Sequence, residues 1–141
     1  MKFDIEHVAV RCREMDTSID FYSKMFGAEI MFRRKMPEGK EITYLKIGDA
    51  ILELMSMGPA AEPVDSRDHY GFHHFGIKVN DFETIYEDLR AKGAEFLGEP
   101  FSPTEGFRLL FLKDPNGTVI ELASRDPNIM KKSMKKGIVN W

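Results

Sequence analysis

The sequence predicts an α+β fold built from two copies of a βαβββ module, because three kinds of motif occur twice in the same order. "IEHVAV" from Ile5 and "FHHFGI" from Phe72 each place a histidine before a hydrophobic, small, hydrophobic triplet. "GAEI" from Gly27 and "GAEF" from Gly93 each follow a helical stretch, and "ILEL" and "VIEL" each carry a central glutamate. An internal repeat of this kind constrains the whole fold.

Each module is predicted to begin with a strand and to continue with an amphipathic helix. Residues from about Phe3 to Arg11 alternate as a half-buried strand does. Asp16 or Thr17 can cap the first helix, whose apolar residues recur at spacings of three and four. Gly27 is expected to end this helix, and Asp81 is the expected cap of the helix in the second module.

Three strands are predicted after each helix, separated by turn signals. The signals are "MPEGK" from Met36 and Gly48-Asp49 in the first module and Asn116-Gly117 in the second. Asp114 and Asn116 are interpreted as turn residues. The two modules together are expected to form a cleft-like, mixed β-sheet half-barrel.

The domain prediction is a single domain over residues 1–124. It comprises a first module at about 3–56 and a second at about 72–124. A connector at 57–71 joins them and is rich in proline, glycine and small or charged residues. Residues 125–141 are predicted to form a basic tail with a short helix, for which Pro127 suits the first turn.

Composition places the chain among ordinary globular proteins. Of its 141 residues 43% are hydrophobic and 30% charged, which argues against disorder, and no apolar run resembles a membrane span or signal peptide. The net charge of −3 gives no electrostatic footprint for nucleic acid, so a small-molecule ligand is expected. The single Cys12 cannot form an internal disulfide, and the cytoplasm is the expected compartment.

Two glutamates occupy costly positions in apolar strands. Glu53 lies between Leu52 and Leu54, and Glu121 lies between two apolar neighbours in the second module. A buried carboxylate without a partner costs several kcal/mol or becomes neutral, so a cation or strong donors are expected beside each one. Strand alternation places His7 on the face opposite Val8 and Val10, away from the helix.

Pseudo-twofold symmetry of the modules would bring His7, Glu53, His74 and Glu121 together. Two imidazoles and two carboxylates neutralise a divalent cation and suit zinc, nickel, cobalt or manganese. The alternative is that each histidine is an ordinary core or surface residue and each glutamate a salt-bridge partner. His73 is the rival to His74, but the triplet that follows each histidine aligns His74 with His7.

The chain resembles the vicinal oxygen chelate superfamily, which includes glyoxalase I, methylmalonyl-CoA epimerase, extradiol dioxygenases and fosfomycin or bleomycin resistance proteins. The resemblance runs from about Phe3 to Ser124 and depends on "IEHVAV", "DFYSKMFGAE", "ILELM", "HHFGIKVND" and "FLKDPNGTVIELA" in this order. It implies the two-module fold and a homodimer. It also implies one divalent metal ion per site, with iron disfavoured.

The ligand identities imply an activity within that superfamily. Bacterial glyoxalase I uses His, Glu, His and Glu, which His7, Glu53, His74 and Glu121 supply by motif position. The resemblance therefore implies a metal-dependent lyase or isomerase that transfers a proton beside a carbonyl, with Glu121 or Glu53 as the catalytic base. The substrate would be a glutathione adduct or another thiol adduct.

Two arginines are candidates for substrate binding. Arg11 occupies the place where glyoxalase I carries an arginine for a glutathione carboxylate, and Arg108 is a second candidate for an anionic group. The alternative for each is a solvated charge on the surface. Met57 replaces an asparagine of the glutathione-using enzymes, and Tyr70 replaces an arginine of some members, so the identity of the thiol stays open.

Three other activities remain as alternatives. An acyl-CoA epimerase is second, although epimerases of the family typically carry glutamine at the position of Glu53. A metal-free antibiotic-binding resistance protein is third, but sequestration alone gives no reason to keep buried carboxylates. An extradiol dioxygenase is last, because that chemistry uses two histidines and one carboxylate on iron.

Overall fold

The computed structural model describes residues 2–133 and contains two four-stranded mixed sheets with few helices, which confirms the α+β prediction. In the described residues no helix combines the length and apolar character that a bilayer crossing needs. The strands are β1 (His7–Arg11), β2 (Glu29–Lys35), β3 (Glu41–Ile47), β4 (Ala50–Ser56), β5 (Phe75–Lys78), β6 (Glu95–Phe96), β7 (Phe107–Lys113) and β8 (Val119–Arg125). The helices are α1 (Met15–Phe26), α2 (Phe82–Ala91) and α3 (Pro127–Ser133).

Both sheets have the same topology. The strand order is β1-β4-β3-β2 in the first sheet and β5-β8-β7-β6 in the second. In each sheet the first strand pairs in parallel with the last, and the other neighbours are antiparallel. The predicted repeat of a βαβββ module is therefore confirmed at the level of strand pairing.

The contacts divide the chain into two compact units. Unit 1 comprises the chain up to Asp65 together with Asp114–Thr118, and unit 2 comprises Ser66–Lys113 together with the chain from Val119 onward. The predicted tail contains α3, while its later residues, including Met134 and Trp141, lie outside the described residues. The prediction of a single domain over residues 1–124 stays a prediction.

Each sheet has one buried face and one face that carries its strand glutamate. In unit 1 Leu52 and Leu54 are buried on the side where α1 packs, and Glu53 points the other way because side chains alternate along a strand. In unit 2 Ile120 and Leu122 are buried in the same manner on either side of Glu121. The face that carries the glutamate is called the site face below.

The predicted start of the first strand was wrong. The strand begins at His7 rather than near Phe3, and Phe3 and Ile5 are almost fully exposed. In the register His7 pairs with Ile51, and β4 itself begins at Ala50. Residues before His7 therefore have almost no strand beside them to pair with.

The predicted cap of α1 was also wrong, whereas that of α2 is confirmed. The N-cap position of α1 is Glu14, with no side-chain capping bond, and Asp16 instead accepts a hydrogen bond from Arg33 at 2.8 Å. Asp81 caps α2 by accepting the backbone N–H of Thr84. Gly27 ends α1 in the left-handed conformation, as predicted.

Asp114 does more than shape a turn. Its carboxylate is buried and accepts the Tyr22 hydroxyl at 2.7 Å and the backbone N–H groups of Asn116 and Thr118 at 2.8 Å each. Burial and the negative charge of Asp114 raise the pKa of Tyr22 well above its usual value, so the phenol stays a donor. The Asn116 amide donates to the hydroxyl of Ser18 at 2.9 Å, and Ser18 lies on α1, as Tyr22 does. These bonds fix the turn between β7 and β8 against α1.

Replacing Tyr22 with phenylalanine tests this network. Tyr22→Phe removes one donor from a buried carboxylate, and we expect the free energy of unfolding to fall by about 1–2 kcal/mol. Denaturant titration followed by circular dichroism measures the change. Tyr70→Phe is the control, because the Tyr70 side chain is fully exposed and its loss of a hydroxyl should leave stability unchanged. Equal stability of the two variants would contradict the role given to Asp114.

Candidate functional site

In unit 1 the structure brings His7 and Glu53 together. The His7 Nε2 atom lies 3.1 Å from Glu53 Oε2, and Glu53 is only 8% exposed. The parallel pairing of β1 with β4 places Ala9 directly beside Glu53, and His7 lies two residues earlier on the same face. The small side chain of Ala9 leaves space for the carboxylate, which the imidazole then meets.

In unit 2 His74 and Glu121 form the equivalent pair. The His74 Nε2 atom lies 3.2 Å from Glu121 Oε2, and Glu121 is again 8% exposed. Gly76 occupies the place beside Glu121 that Ala9 occupies beside Glu53. The small residue of the repeated triplet therefore has the same position in both units, next to the buried carboxylate.

The second nitrogen of each histidine is also engaged. His7 Nδ1 lies 3.0 Å from Glu6 Oε1, and because an ionised carboxylate only accepts, the imidazole donates there. His74 Nδ1 lies 2.7 Å from Nδ1 of His73, the rival residue, so that one ring donates to the other. Partners of this kind fix the orientation of a metal-ligating imidazole.

The geometry of each pair fits two adjacent ligands of one metal ion. Ligands bound at about 2.1 Å and at right angles are about 3.0 Å apart, close to the two observed separations. A neutral imidazole nitrogen facing a carboxylate at this distance also needs a proton or cation between them. Within residues 2–133, however, no three histidine, cysteine, aspartate or glutamate side chains gather closely enough to hold a metal. The structure thus supplies two pairs, and the union of all four residues stays a prediction.

An aromatic side chain stands across from each buried glutamate, which the sequence analysis missed. Tyr44 pairs with Glu53 in the strand register, and its ring stacks on His7 with centroids 6.3 Å apart. Phe111 pairs with Glu121, and its ring meets His74 edge to face at 5.2 Å. The signal was available, because the hairpin before each "LEL" or "IEL" strand, with a loop of two residues in unit 1 and five in unit 2, sets which residue faces the glutamate. Each pair therefore has an apolar wall on its site face.

Arg11 is used within unit 1. Its guanidinium donates to the carbonyl oxygens of Pro59 at 3.0 Å and Gly58 at 3.4 Å. Arg11 lies two residues beyond Ala9 on the site face, so its strand position is the predicted one. Its hydrogen bonds hold the segment that follows β4 and provide no anion site by themselves.

Arg108 lies on the opposite face of its sheet from Glu121. Phe111 pairs with Glu121 and lies on its face, whereas Arg108 pairs with Ser124. Arg108 and Phe111 are three residues apart on β7, and side chains at an odd spacing point to opposite faces of a strand. Its guanidinium donates to Glu83 at 3.0 Å and lies 5.3 Å from the Phe82 ring centroid, both on α2. This placement gives Arg108 a role in packing α2 and no support for substrate binding at the pair.

An open cavity of about 350 Å³ in unit 1 adjoins Arg11, Cys12 and Arg13 and is also lined by the Gly58–Ala61 segment, Pro63 and Asn116. Neither His7 nor Glu53 lines it. Burial raises the pKa of the Cys12 thiol, so the neutral form is favoured and the thiol is a poor nucleophile. The cavity is therefore separate from the metal-ligating candidates of unit 1.

Comparisons with known proteins agree on one family. Residues 4–122 match the Glyoxalase/Bleomycin resistance protein/Dioxygenase superfamily. The chain is 33% identical over 129 residues to the lactoylglutathione lyase GLX1 of Arabidopsis thaliana. This match covers 86% of the chain but only 44% of the plant protein. The chain thus spans less than half the length of this plant relative.

A bacterial relative and a solved structure match over nearly their whole length. The probable lactoylglutathione lyase of Vibrio cholerae is 30% identical, with 84% of this chain and 88% of that protein covered. The crystal structure of a glyoxalase family protein from Enterococcus faecalis has a TM-score of 0.76 at 24% identity, covering 86% of this chain and 97% of that one. The chain, with its repeated module and paired His and Glu residues, belongs to the Glyoxalase/Bleomycin resistance protein/Dioxygenase superfamily.

Proposed function

We propose that this chain is a metal-dependent lyase or isomerase of the lactoylglutathione lyase type. The observation that carries the proposal is the repeated pair of a buried glutamate and an imidazole, at 3.1 Å in unit 1 and 3.2 Å in unit 2. Relatives named lactoylglutathione lyase, at 33% and 30% identity, support the same activity.

The proposed cofactor is one divalent cation per site, held by His7, Glu53, His74 and Glu121. A single pair supplies two ligands, and protein sites for zinc and similar ions use three or four, so both pairs are required. The four residues can come from one chain or from two copies of it, and a homodimer is part of the proposal. Nickel, cobalt, zinc and manganese all accept two imidazoles with two carboxylates.

The chain's own residues have distinct roles in this proposal. When bound, the cation stabilises the negative charge that develops on oxygen as the neighbouring carbon loses a proton. The Glu121 or Glu53 carboxylate removes that proton from one carbon and returns it to the next. The rings of Tyr44 and Phe111 lie against His7 and His74, and apolar surface beside the pairs strengthens electrostatic interactions there.

The proposed substrate is a small hydroxy-carbonyl compound formed from a thiol, for which the glutathione adduct of methylglyoxal is the first candidate. An acyl-CoA epimerase would use the same proton transfer, and Glu53 favours the lyase, because epimerases of the family typically carry glutamine at this position. The two activities differ in product and are separated by assaying both substrates.

Neutralising either glutamate should abolish most of the activity. We expect Glu53→Gln and Glu121→Gln each to lower kcat for methylglyoxal plus glutathione by about 10²- to 10⁴-fold, the usual contribution of a general base. The assay uses protein freed of metal and reloaded with nickel, cobalt, zinc, manganese or iron. Glu87→Gln, on the exposed side of α2, is the control and should retain full activity.

Two results would contradict the proposed reaction. One is full activity of the Glu53→Gln or the Glu121→Gln variant in the metal form that activates the wild type. The other is a wild type that is inactive with every metal on this substrate yet cleaves catechols with iron.

Removing one imidazole should weaken metal binding independently of activity. Loss of a residue that only orients a ligand costs about 10- to 100-fold in affinity, so His7→Ala and His74→Ala should each cost at least about 100-fold. Competition with a chromophoric chelator measures the affinity. His69→Ala is the matched control, because His69 is exposed and belongs to neither pair. Unchanged affinity in His7→Ala would remove this residue from the ligand set.

A further inference from the structure

Besides Arg108, two further guanidinium groups lie against aromatic rings in unit 2. The Arg125 Cζ atom is 4.5 Å from the Phe107 ring centroid, and the Arg67 Cζ atom is 5.7 Å from the Phe111 ring centroid. Both distances are within the range of cation–π contacts.

The strand register places both rings on the site face of the second sheet. Phe107 pairs with Arg125 and Phe111 pairs with Glu121, so all four residues share the face that carries the carboxylate. Residues four apart on a strand are roughly 13 Å apart. Arg67 therefore lies beside Phe111, the ring that pairs with Glu121. Arg125 lies beside Phe107, the next ring along β7 on the same face.

Arg125 also lies close to the Glu121 carboxylate. Its Nη2 atom is 3.8 Å from Glu121 Oε1, which is longer than a hydrogen bond, and its side chain is 21% exposed. A cation–π contact engages the flat face of a guanidinium, while its N–H donors radiate from the edge. The edge can thus serve an incoming oxyanion in addition to groups of the protein.

The repeat shows that the fold does not require this cation. Arg125 follows Glu121 by four residues, and Met57 follows Glu53 by four residues at the equivalent place in the first module. Of the two arginines predicted to bind an anion, Arg11 bonds two backbone carbonyls and Arg108 lies on the opposite face of its sheet. The two modules therefore differ at this position, with an arginine after Glu121 and a methionine after Glu53.

We propose that Arg125, assisted by Arg67, recognises an anionic oxygen group of the substrate beside the His74–Glu121 pair. The inference rests on the proposed function and extends it, because it assigns recognition of the charged end of the proposed substrate to two named arginines of unit 2. Arg125 is then a specificity residue, and the Phe107 ring holds its guanidinium in place.

The experiment compares a charged with a neutral substrate. Methylglyoxal is combined with glutathione, which carries carboxylates, or with N-acetylcysteamine, which carries no charge. Arg125→Met installs the residue found at the equivalent position 57. We expect kcat/KM for the glutathione adduct to fall about 10- to 100-fold, mainly through KM, as loss of a charged hydrogen bond predicts. The value for the neutral adduct should stay within about twofold.

Arg90→Met is the matched control, because Arg90 lies exposed on α2 and its loss should change kcat/KM for neither adduct. Arg67→Met should lower kcat/KM for the glutathione adduct in the same direction as Arg125→Met. If Arg125→Met lowers kcat/KM equally for the charged and the neutral adduct, the proposal is overturned, because Arg125 then only positions Glu121.

A binding measurement separates this inference from the proposed function. Isothermal titration of S-methylglutathione into the protein as purified should give a Kd about tenfold weaker for Arg125→Met than for the wild type. If the wild type turns over neither adduct but this difference is found, the anion subsite stands and the proposed reaction fails. If the wild type turns over both adducts and Arg125→Met binds and reacts as the wild type does, the reaction stands and the subsite fails.

Discussion

The burial of one ionisable carboxylate in the middle of each apolar sheet is the constraint on which the rest of the structure depends. Glu53 and Glu121 are each 8% exposed, and a charge in such a place requires a partner of opposite sign or a hydrogen bond. Each unit places an imidazole nitrogen close to one carboxylate oxygen, at a separation that a shared proton or a cation would bridge. Apolar residues at these positions would stabilise the sheets better, so the carboxylates are explained by function more readily than by folding.

The two units share their ligand geometry but differ in the charges around it. A small residue stands beside each glutamate and an aromatic ring across from it, Ala9 with Tyr44 in one unit and Gly76 with Phe111 in the other. Only the second pair has an arginine four residues farther along the glutamate's strand. Duplication thus accounts for the two matching pairs of histidine and glutamate, and divergence between the copies accounts for the arginine that follows only the second glutamate.

Most of the fold and the four candidate ligands could be predicted because they depend on local patterns. Strand alternation places Glu53 opposite Leu52 and Leu54, and the aligned triplets identify His74 rather than His73 as the partner of Glu121. The start of β1 could not be predicted, since it depends on where β4 begins. The contacts of Arg108 depend on which residues of α2 it meets, and only tertiary structure fixes those.

X-ray absorption spectroscopy of the metal-loaded protein tests the central claim most directly, because the scattering of imidazole rings counts the histidines bound to the ion. The account predicts two imidazoles with oxygen ligands completing the shell in the wild type, and one imidazole in any residual complex of His74→Ala. A wild-type metal with no imidazole ligand, or with the same imidazole count after His74→Ala, would contradict it.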